Sequence, residues 1–317
     1  MEETALALHI VSGTAHRGLA EAIAGLLGVR LSPCQVEHFP DGELRPRVSC
    51  LRSADVYLVA PTGPTVNEHV VELLLLLDAC RRSDAARVTA VVPYFGYARQ
   101  DRRSHAGEAV GARVISDALV TAGAQRLVLV DPHTLALEAM CTIPVEMLTA
   151  VPTLVKALAS SVSRGAVVVA PDLGAVKLAG HYATLLDTSV AVIRKTRESA
   201  TQVRVEELSG DVDGRAVIVI DDMISTGGTI DAAVRVLLDH GAAPDIVVAA
   251  THGLLFEPAA QRLAALPVGA VFVTDSVAQR ETVPKPPVQV HSIAPLLADA
   301  IGRLHRDQAL DDLLIHS

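Results

Sequence analysis

Short apolar runs alternate with longer segments of helical periodicity along the chain. "ALHIVSG" (7 to 13) is followed by "RGLAEAIAGLLG" (17 to 28), and "DVYLVAPTG" (55 to 63) is followed by "VNEHVVELLLLLDACRR" (66 to 82). Apolar runs of about four to eight residues are typical of buried strands, and a period of 3.6 residues is typical of helices. Strands that alternate with helices predict βαβ crossovers and a parallel sheet. The pattern therefore favours an α/β fold.

The second half of the sequence repeats the plan of the first half. Residues 164–198 match residues 6–43 in the order strand, small turn, helix, strand and charged tip, and residues 215–253 match 55–96 in the same way. A long internal repeat indicates two similar domains. We expect them to span residues 1–150 and 151–317, with a helix at about 295–307 that packs back on the first domain.

The repeat breaks down where one strand ends. The run "VIVI" (217 to 220) ends in Asp221 and Asp222, whereas its counterpart ends in Ala60 and Pro61. Ligands of parallel sheets bind where strands end and helices begin. The turn from Ser225 to Thr229 offers hydroxyls, close backbone approach at its glycines and the N–H groups of a helix start, which favours an anion.

This turn is not a Walker loop, because no lysine follows its glycines. Two carboxylates before a monophosphate site suit the cis-diol of a ribose, directly or through Mg²⁺. The alternative is a simple acid-capped turn between a strand and a helix. Only one half carries this chemistry, so we expect one sugar-phosphate site per chain.

Composition agrees with this fold class and excludes several partners. Half of the residues are hydrophobic but only 3% are aromatic, as expected for parallel strands packed with Ala, Val, Leu and Ile. The 36 acidic residues outnumber the 27 basic ones, and no basic run suits nucleic acid. The most apolar run, "VVELLLLLDAC" (70 to 80), contains Glu72 and is too short to cross a membrane, so we expect a cytoplasmic protein.

The four cysteines show no metal-binding spacing. Cys34, Cys50, Cys80 and Cys141 form no CxxC pair. We expect buried thiols rather than a zinc site or disulfides.

Seven motifs occur in order along the chain: "FPDGE" (39 to 43), "RVTAVVPYFGYARQDRR" (87 to 103), "VDPHT" (130 to 134), "APDLGAVK" (170 to 177), "RKTR" (194 to 197), "VIDDMISTGGT" (219 to 229) and "THG" (251 to 253). Together they resemble the ribose-phosphate pyrophosphokinase family over nearly the whole chain. The resemblance implies two tandem phosphoribosyltransferase-type domains, of which the first lacks the ribose-phosphate loop. It also implies transfer of the pyrophosphoryl group of ATP to the anomeric hydroxyl of ribose 5-phosphate, with Mg²⁺, in a homo-oligomer whose ATP site lies near a subunit interface.

The resemblance assigns roles to individual residues. It makes Lys195 and Arg197 catalytic cations of a flexible loop that closes over ATP, and it links His133 and Asp172 to Mg²⁺. The ATP-binding residues it implies are Phe39, Asp41, Gly42, Glu43, Arg99, Gln100, Asp101 and His133. The residues it implies for ribose 5-phosphate are Arg197, Asp221, Asp222, Ser225, Thr226, Gly227, Gly228 and Thr229.

Taken alone, three of these motifs have simpler explanations. "FPDGE" is typical of a β-turn, "ARQD" (98 to 101) of a surface loop and "RKTR" of a solvated charge run. By the repeat, "FPDGE" and "RKTR" occupy equivalent positions and both are expected as exposed tips beside the sheet. The alternating Lys195 and Arg197 would then place two cations on one face of an extended segment.

The sequence also departs from the main class of the family. Pro132 replaces an aliphatic residue, Ser225 replaces an acid, and Cys50 and the tail "QALDDLL" (308 to 314) lack serines of the allosteric phosphate site. The chain resembles the non-allosteric classes more closely. Three alternative functions remain: a phosphoribosyltransferase that consumes the same product, a non-catalytic subunit associated with a synthetase, and an enzyme for a related sugar phosphate.

Overall fold

The computed structural model describes residues 6–163, 165–197, 204–279 and 286–315, with only the backbone of 195–197 and 204–206. The chain divides into two compact units. The first contains the residues up to Thr149, together with Ser276–Ala278 and the residues from Ile293 onward. The second contains Ala150–Asp275 and Gln279–Ser292.

The first unit is built on a parallel sheet. Five strands lie in the order β1-β4-β5-β6-β7, and the hairpin β2–β3 forms a separate two-stranded sheet. All residues of β4 are buried, because helices cover both faces of the sheet. The elements are β1 (Ala7–Ser12), α1 (Arg17–Leu26), β2 (Cys34–His38), β3 (Leu44–Val48), β4 (Ala54–Val59), α2 (Val66–Arg82), β5 (Arg87–Val92), α3 (Gly111–Ala122), β6 (Arg126–Val130), α4 (Leu137–Met140) and β7 (Val145–Leu148).

The second unit repeats this plan with a larger sheet. Its seven strands lie in the order β10-β9-β8-β11-β12-β13-β14, and all neighbours are parallel except β9 and β10. The elements are α5 (Val151–Leu158), β8 (Val167–Ala170), α6 (Val176–Leu186), β9 (Val190–Arg197), β10 (Arg204–Ser209), β11 (Val217–Ile224), α7 (Gly228–Asp239), β12 (Ile246–Gly253), α8 (Glu257–Ala264), β13 (Val268–Thr274) and β14 (Val288–His291). The predicted α/β class with two similar mainly parallel sheets is confirmed.

The C-terminal helix α9 (Ala294–His305) belongs to the first unit and packs against α1. A short 3-10 turn, Asp311–Leu313, follows it. None of the helices in the described ranges is long and apolar enough to cross a membrane.

One prediction about the strands is wrong. "RKTR" is not a tip like "FPDGE", because β9 continues through Arg197 and pairs antiparallel with β10. Backbone pairing with β10 keeps "RKTR" in a strand. "FPDGE" instead forms the turn that connects β2 and β3.

The cysteines differ in exposure, and the prediction of buried thiols fails for Cys50. Cys50 is exposed in the connection that leads from β3 to β4, while Cys34 and Cys141 are partly buried. All four are free thiols. Cys80 is buried in α2, and burial raises the pKa of its thiol to about 12.

A buried ion pair network ties α9 to the first sheet. Asp55 on β4 is 1% exposed. Its carboxylate accepts hydrogen bonds from Arg87 Nε at 3.1 Å and Nη2 at 2.7 Å, and lies 2.7 Å from Nδ1 of His305. Arg87 is partly exposed and also donates to Asp307 at 3.1 Å, so Asp55 is the buried member of this network.

We expect Asp55→Ala to lower the free energy of unfolding by about 2 to 3 kcal/mol, because Arg87 and His305 would lose a buried charged acceptor while Arg87 keeps Asp307. Urea unfolding of the purified protein measures this change. The matched control is Asp117→Ala, which removes an exposed ion pair with Arg113 in α3 and should cost no more than about 1 kcal/mol. Equal losses in the two variants would contradict a special role of the buried carboxylate.

Candidate active site

Three carboxylates meet at the carboxyl edge of the second sheet. Parallel pairing places Val219 of β11 beside Val169 of β8, so the two strands end at the same level. Asp172 follows β8, and Asp221 and Asp222 lie in the last half of β11. The sheet register therefore collects acids that are some 50 residues apart in the chain, as the arrangement of parallel strands allows.

Asp221 is the acid whose protonation the cluster alters. Burial holds the pKa of Asp221 well above its usual range, and the carboxylates of Asp222 and Asp172 raise it further. The N–H group of Asp222 donates to Asp221 Oδ1 at 3.0 Å, which acts in the opposite direction. Asp172 Oδ1 accepts from the N–H groups of Gly174 and Ala175 at 2.9 and 3.3 Å. The net result is a cluster of negative charge that a bound cation would stabilise.

The carbonyl groups of the turn after Asp222 accept hydrogen bonds from α8 and the loop before it. The carbonyl oxygens of Ile224 and Ser225 accept from Leu255 N at 2.9 Å and from Phe256 N at 3.1 Å. The carbonyl of Thr226 accepts from Arg262 at 2.6 Å. Within the described ranges, the N–H groups from Thr226 to Thr229 have no acceptor. Free N–H groups at the start of a helix form an anion-binding concavity.

Gly227 is required by the shape of this turn. Its φ is +75°, in the left-handed region, and a Cβ atom there would lie 3.2 Å from the Cα of Ala259 on α8. Gly228 starts α7 and has no comparably close neighbour. The close fit of α8 behind Gly227 explains why a glycine is needed at this position. Ser225 and Thr229 are half-buried, and Thr226 is exposed.

In the first unit, the equivalent turn follows β4. Thr62 is buried, its hydroxyl donates to the carbonyl of Tyr94 at 3.1 Å, and it accepts from Gly96 N at 2.6 Å. The hydroxyl of Thr62 is therefore engaged inside the protein, whereas Thr226 in the turn after β11 is exposed.

The tip of the β2–β3 hairpin carries Phe39, Asp41, Gly42 and Glu43, all exposed. Gly42 has a φ of +95°, and Asp41 Oδ1 accepts from Glu43 N at 3.1 Å, so the tip is a tight turn. The guanidinium of Arg45 lies 5.2 Å from the centre of the Phe39 ring. This cation covers one face of the ring and leaves the other face for a planar ligand.

A cavity of about 830 Å³ lies between this tip and α2. Its lining includes Asp41, Gly42 and Glu43 from the tip and Asn67 from α2. The amide oxygen of Asn67 accepts a hydrogen bond of 2.5 Å from the hydroxyl of Tyr97. Tyr97 begins the loop that carries the predicted phosphate ligand Arg99, so Asn67 connects the two predicted parts of the ATP site. Asn67 was not identified from the sequence, because no motif around it indicates a ligand-binding role.

The loop with Arg99, Gln100 and Asp101 is anchored at α3. Gln100 accepts from Ala112 N at 3.2 Å through its carbonyl, and its side chain fills the space that a Cβ atom on Gly111 would occupy. Arg99 is exposed and has no partner among the described residues. The loop is therefore held by its neighbour while its guanidinium remains available to an anion.

The two predicted metal-linked residues belong to different units. His133 is exposed and follows β6 in the first unit, while Asp172 belongs to the second. Asp131, two residues before His133, adopts a φ of +37°, a strained conformation of the kind that recurs at functional sites. Among the described residues, no group of three or more His, Cys, Asp or Glu side chains could hold a metal on its own. Oxygen donors in the acid cluster nevertheless suit Mg²⁺, which uses few protein ligands together with phosphate oxygens.

The predicted catalytic cations lie at the end of β9. Lys195 pairs with Glu206 and Arg197 with Arg204 in the β9–β10 ladder. Their side chains fall outside the described part of the structure, and so do residues 198–203 of the segment that joins the two strands.

Comparisons with known proteins agree on one family. Residues 8–123 match the model for the N-terminal domain of ribose phosphate pyrophosphokinase, and residues 144–283 match the phosphoribosyl transferase domain. A ribose-phosphate pyrophosphokinase from Caldanaerobacter subterraneus is 38% identical over 308 residues, which cover 96% of this chain and 97% of that protein. One from Streptomyces avermitilis is 39% identical over 306 residues, covering 95% and 94%. The crystal structure of phosphoribosylpyrophosphate synthetase from Mycobacterium smegmatis superimposes with a TM-score of 0.89 at 36% identity, covering 95% of this chain and 99% of that one.

Proposed function

Since the chain belongs to the ribose-phosphate pyrophosphokinase family, we propose a division of labour in which the second unit binds ribose 5-phosphate and the first unit binds ATP. The enzyme makes phosphoribosyl pyrophosphate from ribose 5-phosphate. The proposal rests above all on one observation, the row of free N–H groups that follows Asp221 and Asp222.

In this proposal the turn from Ser225 to Thr229 holds the 5-phosphate. The free N–H groups and the positive end of α7 match the charge of a monophosphate, and hydroxyls of the turn add donors. Asp221 and Asp222 accept hydrogen bonds from the ribose hydroxyls. Carboxylates accept such bonds strongly, so these acids face the sugar rather than the phosphate.

The proposed ATP site uses the hairpin tip and the loop after β5. The free face of Phe39 would stack on a planar base, and Asp41 and Glu43 supply acceptors for an exocyclic amino group. Gly42 gives the tip its turn. Arg99 would hold phosphate oxygens, with Gln100 and Asp101 as polar neighbours.

Mg²⁺ is the proposed cofactor. His133 and Asp172 are the residues that would support it, and bound Mg²⁺ would offset the charge of the triphosphate. Lys195 and Arg197 would supply fixed positive charge to the group in transfer. The anomeric hydroxyl of the sugar attacks the β-phosphorus and forms a new oxygen–phosphorus bond. The bond between the β-phosphorus and the oxygen of the α-phosphate breaks, AMP leaves with that oxygen, and the proton of the hydroxyl passes to solvent. Positioning and charge stabilisation are the main sources of catalysis in such a transfer.

A phosphoribosyltransferase is not favoured, because residues 8–123 of the first unit match the N-terminal domain of ribose phosphate pyrophosphokinase. A cytoplasmic homo-oligomer with the ATP site near a subunit interface stays a prediction. So does the absence of control through an allosteric phosphate site.

The test is an assay of the purified protein with ATP, ribose 5-phosphate and Mg²⁺ that follows AMP and phosphoribosyl pyrophosphate. We expect both products in equal amounts, and we expect chelation of the metal to stop the reaction. Parallel reactions with other sugar phosphates check the substrate. If the protein formed neither product with ribose 5-phosphate, a non-catalytic subunit or an enzyme for another sugar phosphate would replace this proposal.

A further inference from the structure

Arg262 contacts the turn from Ser225 to Thr229, called the phosphate turn below, although it lies 33 residues beyond the end of that turn. It belongs to α8, and its Nη1 donates to the carbonyl of Thr226 at 2.6 Å. The same nitrogen lies 3.7 Å from the position of a Cβ atom on Gly228. Arg262 is exposed and has no acidic partner among the described residues. Its guanidinium therefore binds the backbone of the turn and does not form an ion pair with a described residue.

This contact fixes the orientation of one peptide group. The carbonyl of Thr226 and the N–H of Gly227 belong to the same trans peptide plane and point in opposite directions. Arg262 holds the carbonyl on the side of α8, so the N–H of Gly227 faces away from α8. The carbonyls of Ile224 and Ser225 are held on their side by backbone donors, from Leu255 and Phe256. Among the residues that the structure describes, no backbone N–H donates to the carbonyl of Thr226 in this way, and Arg262 takes that place.

Without this hydrogen bond the peptide could rotate. Gly227 already has a positive φ, and glycine permits both signs of φ, so the turn itself resists a flip only weakly. A flipped peptide would direct the carbonyl oxygen of Thr226 towards a bound phosphate and remove one N–H donor from it. Binding of an anion would then be weakened twice, by a lost donor and by an added negative dipole.

We propose that Arg262 is a positioning residue that keeps the phosphate turn in its anion-binding form. The inference rests on the proposed function, since it takes ribose 5-phosphate as the ligand of this turn. It concerns the orientation of the backbone and assigns no contact between Arg262 and the ligand.

The experiment measures binding of ribose 5-phosphate by calorimetry and the steady-state constants in the assay above. For Arg262→Ala we expect about a tenfold rise in the Kd and KM for ribose 5-phosphate, the size of one hydrogen bond from a charged donor, with the KM for ATP within about twofold. Arg262→Lys keeps a donor that can reach the carbonyl and should restore binding to within about threefold. The control is Arg235→Ala, which removes one exposed positive charge from the neighbouring α7 without touching the turn.

Salt dependence distinguishes positioning from direct contact. If Arg262 acts through the peptide, the slope of binding against ionic strength should be the same in Arg262→Ala and Arg235→Ala. A slope reduced only in Arg262→Ala would show direct contact with the phosphate and would overturn the inference. Unchanged binding in Arg262→Ala, or failure of the lysine variant to restore it, would overturn it too.

The inference and the proposed function can fail separately. If the wild-type protein binds ribose 5-phosphate and forms product, and Arg262→Ala behaves in the same way, the proposed function holds and the role of Arg262 is contradicted. If the wild-type protein binds no ribose 5-phosphate, both the proposed function and the role of Arg262 are contradicted. The melting temperature of each variant is measured alongside, and a loss of binding without a loss of melting temperature supports positioning.

Discussion

Replacing Lys195 with alanine is expected to lower kcat for phosphoribosyl pyrophosphate formation by about 10³-fold or more, because cations that stabilise a phosphoryl group in transfer contribute about 10³ to 10⁵ to the rate. The dissociation constants of both substrates should change far less, since the negative charge that Lys195 would stabilise develops on the transferred group only during the transfer. Rapid-quench measurement of AMP gives kcat, and calorimetry gives the two dissociation constants.

The control for this experiment is Arg194→Ala. Arg194 is exposed and directly precedes Lys195 in β9, so this variant removes one positive charge from the same strand and leaves Lys195 and Arg197 in place. Its loss should change kcat by less than about threefold. Similar losses for Arg194→Ala and Lys195→Ala would mean that the segment contributes general positive charge rather than a placed catalytic group.

The alternation of apolar runs and helical segments was sufficient to predict the fold. Fully buried strands such as β4 give continuous apolar runs, and α2 shows its period clearly over 17 residues. The repeat between the halves also located the distinctive turn, because Asp221 and Asp222 stand where the other half has Ala60 and Pro61. These signals are local or periodic, and such signals can be detected in a single sequence.

Strand pairing was not predictable in the same way. The end of β9 is the charged segment "RKTR", which suggests an exposed tip, yet this segment pairs with β10 as a strand. Whether a polar segment is paired depends on a partner further along the chain, and side-chain polarity carries no record of backbone pairing.

The site was predictable to the extent that it is local. Gly227, Gly228 and the acids form a continuous motif, whereas Asn67 and Arg262 reach the candidate sites from distant helices. Arg262 lies on a short amphipathic helix where an exposed arginine is ordinary. Its relevance arises only from a 2.6 Å contact with a backbone carbonyl, and no side-chain pattern encodes such a contact.

Asp221→Asn is expected to lower kcat/KM for ribose 5-phosphate by about 100-fold, because two hydrogen bonds from sugar hydroxyls to a charged acceptor would be weakened. The Kd for ATP should stay within about twofold, since ATP is assigned to residues of the first unit. Asp239→Asn is the control, because it removes one exposed negative charge from the far end of α7. Equal losses for the two substrates would contradict the division of labour between the units.

The same variant should be more stable than the wild type when substrates and Mg²⁺ are absent. Burial and the neighbouring carboxylates raise the pKa of Asp221 in the folded protein above its value in the unfolded chain. Between these two pKa values the folded state holds a proton that the unfolded state has lost, so stability falls as the pH rises through this range, and the full loss remains above it. Asparagine resembles the protonated acid and avoids the loss.

We therefore expect a higher melting temperature for Asp221→Asn than for the wild type at pH 8 in a chelating buffer, and a difference that shrinks as the pH is lowered. A lower melting temperature, or a difference independent of pH, would show that Asp221 is a structural cap of its turn. Lower activity combined with higher stability would instead show that the fold keeps an unfavourable carboxylate because a ligand needs it.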